Sequence, residues 1–174
     1  TLPALPPERL GEPAFRRAHG VRLAYAAGPM ANGIASEELV IALGQAGILA
    51  SFGAAGLLPS RLEAAIAHIK AVLPAGPFAF NLIHSPNESA LEQAAVDLYR
   101  RHGITTVEAS AYLGLTPQVV EYRAAGLRSR PDGSVEIGHR VIAKVSRREV
   151  ATKFLEPASA ALLGELVASG KLTE

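Results

Sequence analysis

The sequence predicts an α/β fold: the N-terminal five β/α units of a (β/α)8 TIM barrel. Two observations carry this. Five apolar, strand-like runs, Arg22–Gly28, Ile48–Gly53, Phe78–His84, Ile104–Ser110 and Arg140–Ser146, start 26, 30, 26 and 36 residues apart, each followed by a helix-like stretch. A strand–helix unit of that length is how a parallel sheet is written. The apolar content of 49% suits a sheet buried on both faces, whose strands lack a polar side. A doubly wound open sheet shares the alternation, but the first strand turn offers no G-x-G-x-x-G, and Pro29 breaks the row of N–H groups a pyrophosphate needs. A full barrel takes eight units and roughly 250 residues, whereas this sequence reaches Glu174 after five. Half a barrel exposes two sheet edges, so the expectation is that the C-terminal part of the barrel is a second polypeptide, or was cleaved or lost.

Residues 1–20, rich in Pro, Arg and Gly, read as an irregular lead-in, and residues 21–174 as the partial barrel. After the first strand, Ser36 is an N-cap for a helix carrying Leu39, Val40, Leu43 and Ala46, ended by Gly47. Pro59-Ser60 opens the second helix, with Leu62, Ala65, Ile66 and Ile69 as its apolar stripe. The third helix is expected to face inward with Leu91, Ala94, Ala95 and Leu98, and Gly103 stops it. Thr116-Pro117 caps the helix Gln118–Ala125. The polar stretch Leu127–Gly138, with the turn Pro131-Asp132-Gly133, predicts a small hairpin before the fifth strand. Two helices follow, near Arg147–Leu155 and Ala158–Ala168, with a break at Pro157 and no sixth strand.

Composition narrows the function. Net charge is +1 with Lys and Arg scattered, which is not the footprint of a nucleic-acid binder. Without cysteine there is no disulfide, thiolate metal site or thiol nucleophile, and no histidine spacing suggests a metal. The first residues lack a signal-peptide pattern and no apolar run reaches about 20 residues, so a soluble, cytoplasmic protein is expected. The missing initiator methionine hints at processing or excision.

In a parallel barrel, chemistry gathers at the carboxyl ends of the strands. Those ends supply Gly28-Pro29-Met30, Gly53, Asn81 with His84, Glu108 with Ser110, and Lys144 with Ser146. Small residues (Gly28, Gly53, Ala54, Ala109) let a flat ligand approach the backbone. Asn81 and Lys144 are isolated polar groups in apolar strands, and a buried polar group is costly unless paired. Asn81 suits a heterocycle with adjacent N–H and C=O, or ties down a neighbouring loop. Lys144 either stabilises an anionic ring or phosphate, or pairs with Glu108. His84 is a general acid, a substrate contact or a structural residue.

Three stretches, Ala27-Gly28-Pro29-Met30-Ala31-Asn32-Gly33-Ile34-Ala35-Ser36, Phe80-Asn81-Leu82-Ile83-His84-Ser85-Pro86-Asn87 and Arg140-Val141-Ile142-Ala143-Lys144-Val145-Ser146-Arg147, resemble the PfaD-type trans-acting enoyl reductases of polyketide and polyunsaturated fatty acid synthases. These belong with the nitronate monooxygenase-like flavin barrels. The resemblance implies an FMN-binding barrel that reduces the α,β double bond of acyl-ACP intermediates with NAD(P)H. It implies that Gly28, Pro29 and Met30 lie along the flavin, that Asn81 bonds its polar edge, and that Lys144 approaches the N1/O2 side. Ala27, Gly53 and Ser110 complete the cofactor set, and His84 is a substrate contact. The family's usual catalytic histidine follows a sixth strand and lies beyond Glu174, so none of the histidines present inherits that role. Expected partners are a synthase acyl carrier protein, the rest of the barrel and a second copy of the chain. The alternatives are a nitronate monooxygenase-like flavin oxidase and a non-catalytic half-barrel docking module.

Overall fold

All five predicted strands form, each shorter than the apolar run that signals it. In the computed structural model, which describes residues 3–173, β1 spans Ala26–Ala27, β2 Leu49–Phe52, β3 Ala79–Ile83 and β4 Thr106–Ser110. Next come the antiparallel hairpin of β5 (Leu127–Ser129) and β6 (Val135–Ile137), and then β7 (Arg140–Ala143). The main sheet has the order β1-β2-β3-β4-β7, with parallel pairing. The helices are α1 (Pro13–His19), α2 (Glu37–Gln45), α3 (Pro59–Val72), α4 (Ser89–Arg101), α5 (Pro117–Ala124), α6 (Arg148–Leu155) and α7 (Ala160–Ala168). The fold is therefore α/β, a mostly parallel sheet of the partial-barrel type. The chain divides into two compact units, Thr1–Phe80 and Asn81–Glu174.

In the first unit the register pairs Ala27 with Ala50 and Phe52 with Phe80. Ser36 Oγ accepts from the Leu39 N–H at 3.3 Å, and Gly47 leaves the helix at φ +73°. Proline at its N-terminus starts α3, and Leu62, Ala65, Ile66 and Ile69 are all buried, as the period predicts. One correction falls on the lead-in, which is not wholly irregular. Pro13–His19 is helical, capped by the Glu12 carboxylate on the Ala14 N–H at 3.1 Å and closed by left-handed Gly20. The signals were present, but the turn-and-a-half of apolar residues was too short to read.

In the second unit the inward face of α4 differs from the predicted one. Glu92, Val96, Leu98 and Tyr99 are buried, while Leu91 is 45% exposed. Polar groups decide this rotation, because Tyr99 and Glu92 both find buried partners. The Tyr99 hydroxyl donates to the Asn81 carbonyl at 2.6 Å, and the Tyr122 hydroxyl of α5 donates to the Ile104 carbonyl at 2.8 Å. Burial raises both phenols, so they remain donors. Thr116 caps α5 through the Val119 N–H at 3.3 Å. The hairpin turn is held by Asp132, which accepts from the Ser134 N–H at 2.9 Å.

The strands β2, β3 and β4 are largely buried but do have a polar side, contrary to the composition-based reading. Along β4, Thr106 and Glu108 alternate with Val107 and Ala109, and all four are buried. By contrast β7 is half-buried throughout. Among the described residues no parallel strand follows it.

In the first unit Glu37 accepts two bonds from Arg61, at 2.5 and 2.9 Å, and Arg61 also lies 5.8 Å from the Phe52 ring centroid. The guanidinium holds the Glu37 carboxyl below its ordinary range. A depressed folded-state value adds stability above the unfolded carboxylate range of about 4.3, and that stability is lost as pH falls through the folded value. Because the Arg61 side chain is 45% exposed, screening limits the effect. Glu37→Gln is expected to cost roughly 1 kcal/mol at neutral pH and to flatten the acid limb of stability, which urea unfolding at neutral and acid pH would read.

Candidate functional site

In the first unit, Ala27 and Pro29 are half-buried, Gly28 is exposed and Met30 is 46% exposed. The loop beyond them is laced onto the carboxyl end of β2. Gly33 N–H donates to the Gly53 carbonyl at 2.9 Å, Gly53 N–H to the Ala35 carbonyl at 3.0 Å, and Asn32 N–H to the Ala55 carbonyl at 2.8 Å. A Cβ built on Gly53 would stand 1.7 Å from the Met30 carbonyl oxygen. The missing side chain of Gly53 thus admits the protein's own backbone and seats Met30.

In the second unit, four of the predicted residues come together. Asn81 is buried, and its Nδ2 donates to the Glu108 carbonyl at 3.0 Å and to Ser110 Oγ at 2.7 Å. A carbonyl can only accept, so these bonds fix the amide's orientation and leave Oδ1 as an acceptor. Asn81 thus ties down the neighbouring strand instead of a loop, without consuming its second polar atom. The β4–β7 register pairs Glu108 with Ile142 and Ala109 with Ala143. Side chains alternate along a strand, so Glu108, Ser110 and Lys144 lie on one face.

Lys144 needs correction. It lies one residue beyond β7, and its side chain is 61% exposed instead of buried in an apolar strand. Its Nζ stands 3.9 Å from Glu108 Oε1, a loose ion pair that leaves the ammonium open to other anions. Its backbone N–H donates to the Ala109 carbonyl at 2.8 Å, which anchors the stem.

Next to these residues is a cluster the sequence did not reveal. Glu92, with a side chain 1% exposed, accepts from the Tyr112 hydroxyl at 2.8 Å and the Thr116 hydroxyl at 2.6 Å, both on Oε1. Its Oε2 lies 2.9 Å from His84 Nδ1. The His84 ring stacks on Tyr112 with centroids 5.4 Å apart, and its backbone N–H donates to the Ser110 carbonyl at 3.1 Å. Ala111, just before Tyr112, is held at φ +65°, a left-handed conformation that costs a non-glycine residue roughly 1 kcal/mol or more. Desolvation, with the Glu92 charge, keeps the Tyr112 hydroxyl protonated. Glu92 escaped the sequence reading because a carboxylate interrupts the apolar stripe of α4, and Tyr112 because it lies in the loop between β4 and α5. The spacing of Glu92 to Val96 and Tyr99 was the available signal. Among the described residues no group of three His, Cys, Asp or Glu side chains is placed to hold a metal.

Comparison with known proteins adds to this picture. No family model matches the sequence. The chain is 53% identical over 165 residues to a polyunsaturated fatty acid synthase component of a Thraustochytrium species, a match covering 95% of this chain and 11% of that protein. It is 42% identical to the polyketide biosynthesis protein ThaF of Burkholderia thailandensis, over 99% of this chain and 15% of the relative. Its fold superposes with TM-score 0.92 and 38% identity on the crystal structure of the enoyl reductase domain of MlnA, from the macrolactin biosynthesis cluster of Bacillus amyloliquefaciens. That match covers 97% of this chain and 38% of the solved one. This chain is a homologue of proteins of polyunsaturated fatty acid and polyketide synthesis and of the MlnA enoyl reductase domain. It spans well under half the length of these relatives. No helix among the described residues is long and apolar enough to cross a membrane.

Two substitutions probe the geometry. Gly53→Ala is expected to destabilise by about 1–3 kcal/mol, since the Met30 backbone must move; thermal unfolding would show it. Asn81→Asp turns two donors into acceptors facing a carbonyl and a hydroxyl. It is expected to cost more than Asn81→Ala, by about 1 kcal/mol or more in urea titration.

Proposed function

We propose that this chain is the N-terminal part of an FMN-dependent enoyl reductase acting in trans, which reduces the α,β double bond of acyl chains on an acyl carrier protein with NAD(P)H. The observation that supports this most is the 0.92 TM-score and 38% identity to an enoyl reductase domain across nearly the whole chain. The relatives in fatty acid and polyketide synthesis support the synthase setting. The remaining barrel strands, in this reading, come from a further stretch of protein beyond the present one.

The residues fit a flavin on two observations. Asn81 keeps Oδ1 as an oriented acceptor, suited to an N–H at the polar edge of the ring. Lys144 keeps an open ammonium at the end of β7, suited to negative charge at a ring edge. In this reading Asn81, Ser110 and Lys144 of the second unit hold FMN, while within the first unit Gly53 serves to seat Met30. When bound, FMN would supply hydride transfer between the nicotinamide and the acyl double bond. The protein's own task is to orient the acyl thioester and to handle the proton.

The test uses the intact protein. It is expected to purify with flavin absorbance bands, to release FMN on denaturation, and to oxidise NAD(P)H only when an enoyl thioester is present. Lys144→Met is expected to weaken FMN retention by about fivefold, the equivalent of roughly 1 kcal/mol for an exposed charge contact. Colourless protein that binds an acyl carrier protein and reduces nothing would replace this reading with that of a docking module.

A further inference from the structure

We propose that Glu108 is a positioning residue of the flavin site: its buried carboxylate holds the Lys144 ammonium at the strand ends and offsets part of its charge. The ring is thereby kept at a lower reduction potential than Lys144 alone would give it. This rests on the FMN reading above and adds to it the group that sets how strongly the cation acts.

Glu108 lies among the residues that fit the flavin without being one of them. Asn81 Nδ2 donates to its backbone carbonyl at 3.0 Å, and to the Oγ of Ser110, two residues on, at 2.7 Å. The β4–β7 register sets Glu108 beside Ile142 and Ala109 beside Ala143. Side chains alternate along a strand, so Glu108, Ser110 and Lys144 share one face, while Val107 and Ala109 turn to the other. Lys144 Nζ lies 3.9 Å from Glu108 Oε1, with the two side chains 61% and 7% exposed. The pair is therefore asymmetric. Its carboxylate is enclosed on a strand whose backbone is held from both sides, by Asn81 on the Glu108 carbonyl and by the Lys144 N–H on the Ala109 carbonyl at 2.8 Å. Its ammonium stands at the end of a long stem that faces solvent. A partly buried pair is screened far less than an exposed one, so Glu108 acts on Lys144 at ordinary salt. At 3.9 Å the contact is longer than a charge-assisted hydrogen bond, which leaves the ammonium donors open to a second anion.

A flavin ring is neutral when oxidised and carries negative charge at its N1/O2 edge when reduced. A cation beside that edge favours the reduced ring and raises its potential, and a carboxylate behind the cation offsets part of the effect. In the reaction proposed above the electrons enter from NAD(P)H and leave to the acyl double bond. A ring that holds them less tightly passes hydride on more readily. The phosphate of FMN bears its charge in both states, so it cancels from the ratio of the two affinities and leaves the ring's surroundings as the quantity read.

The test is made on the intact protein by titrating oxidised and dithionite-reduced FMN under anaerobic conditions, and by equilibrating the loaded protein with redox dyes. Glu108→Gln is expected to tighten reduced FMN relative to oxidised FMN by about tenfold, an upward shift of about 30 mV for a two-electron couple. Lys144→Met should move the ratio the other way. Glu108→Gln added to Lys144→Met should then change it by less than about twofold, because the group it acts through is gone. A merely structural glutamate would weaken both states alike and leave the ratio where it was. An unmoved or lowered potential in Glu108→Gln, or an equal shift with and without Lys144, overturns the proposal and leaves the flavin reading in place. If wild-type protein binds no FMN, the flavin reading fails and this proposal goes with it. Should Glu108→Gln not fold, Glu108→Asp withdraws the carboxylate by one methylene and keeps its charge. It is expected to raise the potential by a smaller amount, and an unmoved potential there overturns the proposal as well.

Discussion

The carboxamide of Asn81 performs a task that the β-ladder cannot. At the carboxyl end of a parallel pair the chains diverge into loops, and the last backbone groups lose their strand partners. Asn81 spans that point by donating to both the backbone and the side chain of β4. Its own carbonyl in turn receives the Tyr99 hydroxyl from α4. One residue thus ties a strand to its neighbour and to the helix behind it. The oriented acceptor, the placement of Ser110 and the seat of His84 all follow from that knot. A buried amide is tolerated only when it is satisfied, and here satisfying it joins β3, β4 and α4.

Two buried glutamates in the second unit show how the same residue type serves different ends. Glu121, 1% exposed in its side chain, is surrounded by cations and an amide: Arg100, Lys171 Nζ at 3.8 Å and Gln93 Nε2 at 3.0 Å. Such a charge is balanced where it stands, and it locks α4 to α5. Glu92 is enclosed instead by two neutral hydroxyls and a histidine. No arginine or lysine offsets it among those partners, so the histidine is the group through which its charge acts. Removing one partner of a buried charge is strongly destabilising, which makes the Glu121 set structural. The Glu92 set, by contrast, reaches solvent through the half-buried ring of His84.

Much of this was legible in the sequence, for local reasons. Strand position followed from apolar runs between glycine and proline breaks. Helix starts at Ser36 and Thr116 followed from side chains that reach only their own first turn. The reading went astray in different ways. On α4 the apolar period put Leu91 inward, whereas Leu91 is exposed and Glu92 buried. At Lys144 it placed a cation inside a strand that ends one residue earlier.

By itself the sequence determined the alternation of strands and helices, the parallel connectivity, the caps and the kinship with synthase proteins, because each depends on residues adjacent in the chain or on motif words read in order. The tertiary structure alone decided which polar groups meet. Asn81 reaches across 29 residues to Ser110, and Glu92 gathers Tyr112 and Thr116 across 20 and 24. Pairings at such separations are set by strand register and helix rotation. Both answer to the whole of the packed core and its need to satisfy every buried donor and acceptor, a condition that no local window of sequence expresses.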